Sequence, residues 1–198
     1  MEKTIIEIAE QVVKDEAEAV ANVAAHLGPE FVRAAEMLLH SEGRVVVTGM
    51  GKAGHIGRKL AATLASTGTP ALFVHPAEAA HGDLGMMKAH DVVIALSHSG
   101  ASDEVVHILP IIRDIGAPII AITSQADSLL AKAAAVVLLT GVEKEADPRG
   151  MAPTSSAIAM LALGDALAMA VSVAREFTRE DFLRFHPGGA LGKLKSKT

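Results

Sequence analysis

With 198 residues, half of them hydrophobic, the chain is long enough to close one substantial core, yet only 3% of it is aromatic and it has no Trp or Tyr, so Ala, Val, Ile and Leu must fill that core. A net charge of −5, with no basic stripe before the last few residues, argues against a nucleic-acid partner, and the absence of Cys excludes a disulfide framework and a thiol nucleophile. No Lys/Arg-led apolar stretch opens the chain, and Lys193, Lys195 and Lys197 read as a frayed, solvated end, so a cytoplasmic protein is expected.

The chain opens on Thr4-x-x-Glu7, a capping-box pattern, and Ile5, Ile8, Val12, Ala19 and Val23 keep a helical face behind it. A second helix is predicted from Pro29 to about His40. Strands and helices then alternate: strand 44–48, helix 55–66, strand 71–74, strand 92–96 and a helix running through Ile115. Strand 118–123, helix 127–134 and strand 136–140 follow. Residues 141–153 form a charged loop that reads as mobile, 154–174 a long apolar helix, and 178–185 a short last one.

Short apolar strands without alternation, separated by helices, imply a parallel sheet covered on both faces. The expected fold is therefore α/β, a doubly wound five-stranded sheet flanked by helices. Ligands bind such sheets at the carboxyl ends of the strands, where the loops singled out below are expected to lie. The apolar run 157–174 is broken by Gly164 and Asp165, so it reads as a buried helix and not as a membrane span. Because that helix is apolar almost all round, one side is expected to meet another subunit.

Ser97-His98-Ser99-Gly100-Ala101-Ser102-Asp103-Glu104 joins a strand to a helix. A helix N-terminus supplies unpaired N–H donors and a positive dipole, and the hydroxyls of Ser97, Ser99 and Ser102 add directed donors, which together suit a phosphate. The same residues also suit an ordinary N-cap and turn. Gly49-Met50-Gly51-Lys52-Ala53-Gly54 fits the dinucleotide fingerprint after a strand. Its required partner is missing, because the next strand ends Phe73-Val74-His75-Pro76, with a histidine where the ribose-binding acid belongs. The glycines are then expected to admit a smaller phosphorylated ligand, with Lys52 directed at it.

With both loops in hand, the chain resembles the sugar isomerase (SIS) family and, within it, the arabinose-5-phosphate isomerases. The matching stretches are Thr48–Gly57, then Ala62-Thr63-Leu64-Ala65-Ser66-Thr67-Gly68-Thr69-Pro70, Phe73-Val74-His75-Pro76 and Ala79-Ala80-His81-Gly82-Asp83-Leu84-Gly85-Met86. They continue in Ala152-Pro153-Thr154-Ser155-Ser156 and His186-Pro187-Gly188-Gly189-Ala190-Leu191-Gly192. The family's serine loop commonly reads Ser-Asn-Ser-Gly-Glu, whereas here it is Ser97-His98-Ser99-Gly100-Ala101, with the acidic residue matched by Glu104. The resemblance implies one domain over 1–198 with flavodoxin-like strand order. Its parts would be N-terminal helices over 1–42, a parallel core over 43–140, and an active-site loop with C-terminal helices over 141–198. Many such isomerases carry a C-terminal pair of CBS domains, which this chain is expected to lack.

The resemblance carries Lys52, Glu104, Glu145 and His186 into a catalytic set. It extends substrate contacts to Gly51, Gly68, Thr69, His75, His81, Ser97, Ser99, Ser102, Thr154 and Ser155. An aldose–ketose isomerase working on D-ribulose 5-phosphate and D-arabinose 5-phosphate through an enediolate, on the route to the octulosonate (Kdo) of surface polysaccharides, is the implied activity. Glu145 or Glu104 would move the proton and His186 would assist ring opening. The plainer alternatives are a solvated charge for Glu145 among Glu143, Lys144 and Asp147, and a helix C-cap for His186. No cofactor is expected; His75 with His81 is a two-ligand candidate for an inhibitory zinc. A homo-oligomer, a tetramer by resemblance, with a small-molecule sugar phosphate as partner and no membrane or nucleic acid, completes the expectation. A hexulose- or heptose-phosphate isomerase and a non-catalytic sugar-phosphate sensor are the competing readings.

Overall fold

The computed structural model describes residues 2–187, with side chains from residue 4 onward. Five strands, β1 (Val45–Gly49), β2 (Ala71–Phe73), β3 (Val92–Leu96), β4 (Ile119–Thr123) and β5 (Val136–Leu139), form one parallel sheet in the order β2-β1-β3-β4-β5. This is the doubly wound arrangement the sequence predicts, and its switch in strand order falls between β1 and β3. The register pairs Gly49 with Leu96, Leu96 with Ile122 and Thr123 with Leu139, so the carboxyl ends of four strands lie level.

Alternate residues of each strand supply the two faces. Val45, Val47, Ile94, Leu96, Ile120, Ile122 and Leu138 pack on one side with α1 (Glu2–Ala25), α2 (Pro29–Leu39), α3 (Gly51–Ser66) and α7 (Ser155–Ala174). Val46, Val93, Ala95, Ile119 and Ala121 pack on the other with α4 (Pro76–Ala79), α5 (Asp103–Ile115) and α6 (Leu129–Ala133). A last helix, α8 (Arg179–Phe185), follows α7.

Helix α7 is apolar enough in length and composition to cross a membrane, with a mean hydropathy of 2.0. Instead it packs on α1, α2 and α3, burying Ala159, Met160, Leu163, Gly164 and Leu167. Asp165 on the same helix is offset by Lys59 of α3, whose ammonium lies 2.6 Å from Oδ2. Helix α1 buries only Ala19 and Val23 among its apolar residues and leaves Ile5, Ile6, Ile8, Val13 and Val20 exposed.

Several boundaries differ from the sequence expectation, each for a local reason. Helix α1 starts at Glu2, so Thr4 lies inside its first turn and not ahead of it as a cap. Helix α3 starts at Gly51, four residues before the predicted His55, because Met50 turns the chain directly from β1 into the helix. Residues Gly51 and Gly54 carry poor helix propensity, yet Gly54 is required: a Cβ there would lie 2.5 Å from the Gly49 carbonyl oxygen. A 3-10 turn at Asp83–Met86 has no counterpart in the predicted elements. Gly188–Gly192 of the C-terminal motif and the Lys193, Lys195, Lys197 tail lie outside the described residues.

The close approach of α3 to β1 sets where Lys52 sits. Gly54→Ala forces backbone against backbone, so it is expected to cost about 1–3 kcal/mol, as overpacked sites do. The readout is the midpoint of thermal unfolding, and an unchanged midpoint would mean that α3 shifts freely.

Candidate active site

The loops after β1 and β3 emerge side by side, because Gly49 and Leu96 are register partners. The first carries Gly51, with φ +58, and Lys52 in the exposed first turn of α3. The second is held in shape by its own backbone. The Gly100 N–H donates to the Ser97 carbonyl at 3.1 Å, and the Leu130 N–H donates to the Gly100 carbonyl at 3.0 Å. Gly100 has φ +61, and a Cβ on it would run into the Ser128 side chain, so both conformation and space demand glycine.

The serine hydroxyls answer the cap-or-ligand question. Ser102 occupies the N-cap position of α5, yet its side chain makes no cap bond. Its Oγ pairs with Ser97 Oγ at 2.9 Å instead. At α6 and α8, by contrast, the hydroxyls of Ser128 and Thr178 accept from the N–H groups of Ala131 and Asp181. The first N–H groups of α5 are therefore not consumed by Ser102, and one proton of the Ser97–Ser102 pair is left over. Ser99 Oγ accepts from the Ala101 N–H at 3.2 Å and keeps its own proton. Glu104 stands exposed in the first turn of α5. An anion here would meet helix N–H groups, serine hydroxyls and, from the neighbouring loop, the Lys52 ammonium.

The His98 carbonyl ties this loop to β4. It accepts from the Ser124 N–H at 3.0 Å, Ser124 Oγ at 2.9 Å and Thr123 Oγ1 at 3.0 Å. Ser124 in turn lines a cavity of about 860 Å³, together with Gln125, Glu145 and Ser155. Helix α1 walls the other side with Asp15 and Glu18, and His26 joins them from just beyond its end. The serine loop and the Glu145 region are thus neighbours through Ser124.

Glu145 is half-buried and does not behave as a solvated charge. Its Oε2 accepts from the Thr154 N–H at 2.8 Å, the Ser156 N–H at 3.1 Å and Thr154 Oγ1 at 3.2 Å. The carboxylate therefore sits on the N-terminus of α7, where the helix dipole and free N–H groups favour an anion. Burial raises its pKa, but the Ser156 hydroxyl, the Thr154 and Ser156 N–H groups and the Thr154 hydroxyl outweigh that and hold it below its ordinary value. The loop around it is tied down, contrary to the mobile loop expected. Asp147 accepts from the N–H groups of Arg149, Met151 and Ala152 at 2.9–3.2 Å. Ser155 is buried at the cavity wall.

The expectation that all the chosen loops lie at the carboxyl edge needs correction. Gly68 and Thr69 follow α3 and precede β2, so they lie at the amino edge. Thr69 is buried there and its N–H donates to the Leu64 carbonyl. His186 ends the chain's path to the same edge: Phe185 shares a cavity with Gly68, Leu39 and Phe177. Its ring stacks on Phe182 with centroids 3.9 Å apart, and Nδ1 lies 2.8 Å from the Phe182 carbonyl. A carbonyl only accepts, so Nδ1 is the donor of this bond. His186 is also the C-cap of α8, so the capping alternative describes its backbone. Within one subunit, Lys52, Glu104, Glu145 and the serine loop share the carboxyl edge, whereas Gly68, Thr69 and His186 share the opposite one.

His75 and His81 flank α4 beyond β2. The His75 Nδ1 is buried without a partner, and His81 is exposed. Among the described residues no group of three or more His, Cys, Asp or Glu is arranged to hold a metal ion. Sequence reasoning missed Ser124 and Gln125, which their position after a strand could have flagged. It also missed Asp15, Glu18 and His26, for which no sequence signal exists, because only packing brings α1 there.

The SIS domain family matches residues 38–170, and the chain belongs to that family. It is 55% identical over 188 residues to the arabinose 5-phosphate isomerase KdsD of Pseudomonas aeruginosa, a match covering 95% of this chain and 58% of that protein. It is 51% identical over 192 residues to the arabinose 5-phosphate isomerase GutQ of Escherichia coli K12, covering 97% of this chain and 60% of the relative. The chain thus spans somewhat more than half the length of these curated relatives. The structure of c3406 from E. coli CFT073, solved in complex with arabinose 5-phosphate, superposes with a TM-score of 0.91 at 41% identity, covering 94% of this chain and all of that one.

Glu145 also carries a stability expectation. Its folded pKa lies below the ordinary value of 4.5, so its contribution is present above that pH and is lost as pH falls through the lower folded value. Glu145→Gln is expected to be less stable than the parent at pH 7, with the gap closing towards pH 3, measured by urea unfolding at both. A gap of equal size at both pH values would contradict the ionised cap.

Proposed function

We propose that this chain is an aldose–ketose isomerase interconverting D-ribulose 5-phosphate and D-arabinose 5-phosphate. The observation that carries the reading is 41% identity across the whole of a chain solved with arabinose 5-phosphate. Support comes from the two relatives named arabinose 5-phosphate isomerase. Site geometry supports it: the serine loop follows β3 and the Glu145 carboxylate follows β5, on either side of the loop after β4 that carries Ser124.

In this reading Ser97, Ser99, Ser102 and the N-terminus of α5 bind the phosphate, and Lys52 offsets phosphate or enediolate charge. Gly51 allows the backbone to come close. Glu145 takes a proton from C1 of the open-chain ketose to leave a 1,2-enediolate, and return of a proton to C2, with the O1 proton passing to O2, gives the aldose. The hydrogen bonds that hold Glu145 keep it deprotonated and therefore competent as the acceptor. Glu104, beside the phosphate site, is the second carboxylate of the set. His186 assists ring opening of the aldose.

His186, Gly68 and Thr69 lie at the far edge of their own subunit, so they would complete the site of a neighbouring copy. A homo-oligomer, a tetramer in this reading, is supported by the exposed apolar residues Ile5, Ile8 and Val13 of α1 and Met169 and Val173 of α7. The phosphorylated substrate, which does not cross membranes unaided, puts the activity in the cytoplasm, with the product feeding Kdo synthesis. No metal takes part in the reaction. A zinc ion captured by His75 and His81, both substrate contacts in this reading, would inhibit it.

The test is NMR of EDTA-treated protein with ribulose 5-phosphate in D₂O. Arabinose 5-phosphate deuterated at C2 is the expected product; saturable binding without turnover would overturn the isomerase. Zinc added to the same assay is expected to inhibit, with the half-inhibiting concentration about tenfold higher in His81→Ala once one of two ligands is gone. Equal inhibition of both proteins would exclude His81 as a ligand.

A further inference from the structure

We infer that Thr154 is a positioning residue whose hydroxyl orients the Glu145 carboxylate, and that it is not a contact to the substrate. The inference rests on the reading of Glu145 as the proton-transfer group, and deepens it.

The argument is one of hydrogen-bonding capacity. A threonine hydroxyl has one proton to donate and two lone pairs to accept with. Both lone pairs of Thr154 Oγ1 are taken, by the Ala146 N–H at 2.8 Å and the Asp147 N–H at 3.2 Å. Its proton goes to Glu145 Oε2 at 3.2 Å. No capacity remains for a phosphate or a sugar hydroxyl. The partners are also well chosen for orientation. Ala146 and Asp147 are the two residues after Glu145, so the one hydroxyl grips both the carboxylate and the backbone that carries it.

The backbone of Thr154 adds a further hold, since its N–H donates to the same Oε2 at 2.8 Å. With the Ser156 N–H, three hydrogen bonds converge on Oε2. The Ser156 hydroxyl adds a further hold on the same carboxylate. A carboxylate fixed in place by directed hydrogen bonds is what proton transfer at a defined carbon requires. Thr154 itself is the N-cap residue of α7, so its position is set by a 20-residue helix buried against α1, α2 and α3. The rigidity of that helix is thereby passed to Glu145.

Thr154→Val keeps the shape and removes the hydroxyl, while Thr154→Ser keeps the hydroxyl and removes the methyl. Steady-state kinetics with ribulose 5-phosphate from pH 5 to 9 separate the roles. Thr154→Val is expected to lower kcat by about 10- to 100-fold, the size of effect that misplacing a reacting group produces, with KM changed less than about threefold. The acid limb of its kcat/KM profile moves to higher pH, because a hydrogen bond to the charged form is lost. Thr154→Ser recovers most of kcat and returns the limb.

A KM raised about tenfold or more at unchanged kcat would make the hydroxyl a substrate contact and overturn the inference. So would a Thr154→Val enzyme matching the parent in kcat and profile, or a Thr154→Ser enzyme as impaired as the valine variant. Thr154→Ala, read in the same way, replaces the valine variant if that one does not fold. Glu145→Gln separates the two levels. If it keeps kcat within about threefold, well short of what loss of a general base costs, the reading of Glu145 falls and takes the inference with it. If it is inactive while Thr154→Val behaves as the parent, only the inference falls.

Discussion

A strand hydrogen-bonded to parallel neighbours on both sides and buried on both faces leaves its backbone no route to water except at its two ends. Chain that leaves the carboxyl end must cross a face, as a helix, and return at the amino end. In this protein that constraint places the loops after β1, β3, β4 and β5 at one level, through register pairs such as Gly49 with Leu96 and Thr123 with Leu139. It also sends the turn between α3 and β2, with Gly68 and Thr69, to the other end. The residues that the resemblance singles out are divided between two edges because the sheet is parallel.

Within the carboxyl edge, the decisive quantity is how each hydroxyl uses its single proton. Ser102 stands where a helix cap is expected, yet its side chain pairs with Ser97 and leaves the first N–H groups of α5 uncapped by it. Thr154 stands at the start of α7 and is saturated by protein groups on every side. The two residues look alike in sequence, each at a loop-to-helix junction. Their partners separate an uncapped helix N-terminus from a saturated support. The same logic applies to the carboxylates: Glu145 lies on a helix N-terminus and stays charged, whereas Glu104 stands free at the surface.

Helix α7 links these features. It is the most apolar helix of the chain, and its N-terminus receives Glu145 while its other end leads to α8 and His186. Its packing on α1 also brings Asp15, Glu18 and His26 to the wall of the large cavity. A helix without strong amphipathic character suits such a role, because it has neighbours on several sides and little need of a solvated face.

The fold class and the candidate loops of the carboxyl edge were legible in the residues themselves, and the strand order in the family resemblance they carry. Apolar strands without alternation announce burial on both faces, and a Gly- and Ser-rich junction before a helix announces an anion site. The failed dinucleotide fingerprint was legible too, because a histidine at residue 75 cannot accept from a ribose hydroxyl pair as a carboxylate does. What the sequence could not determine depends on contacts between distant residues. Whether Glu145 was solvated or gripped, and whether Thr154 faced ligand or protein, were decided only when the N-terminus of α7 met the loop that carries Glu145. Local pattern records which groups a residue can offer to hydrogen bonding, burial and charge; tertiary packing decides which of those groups are already taken.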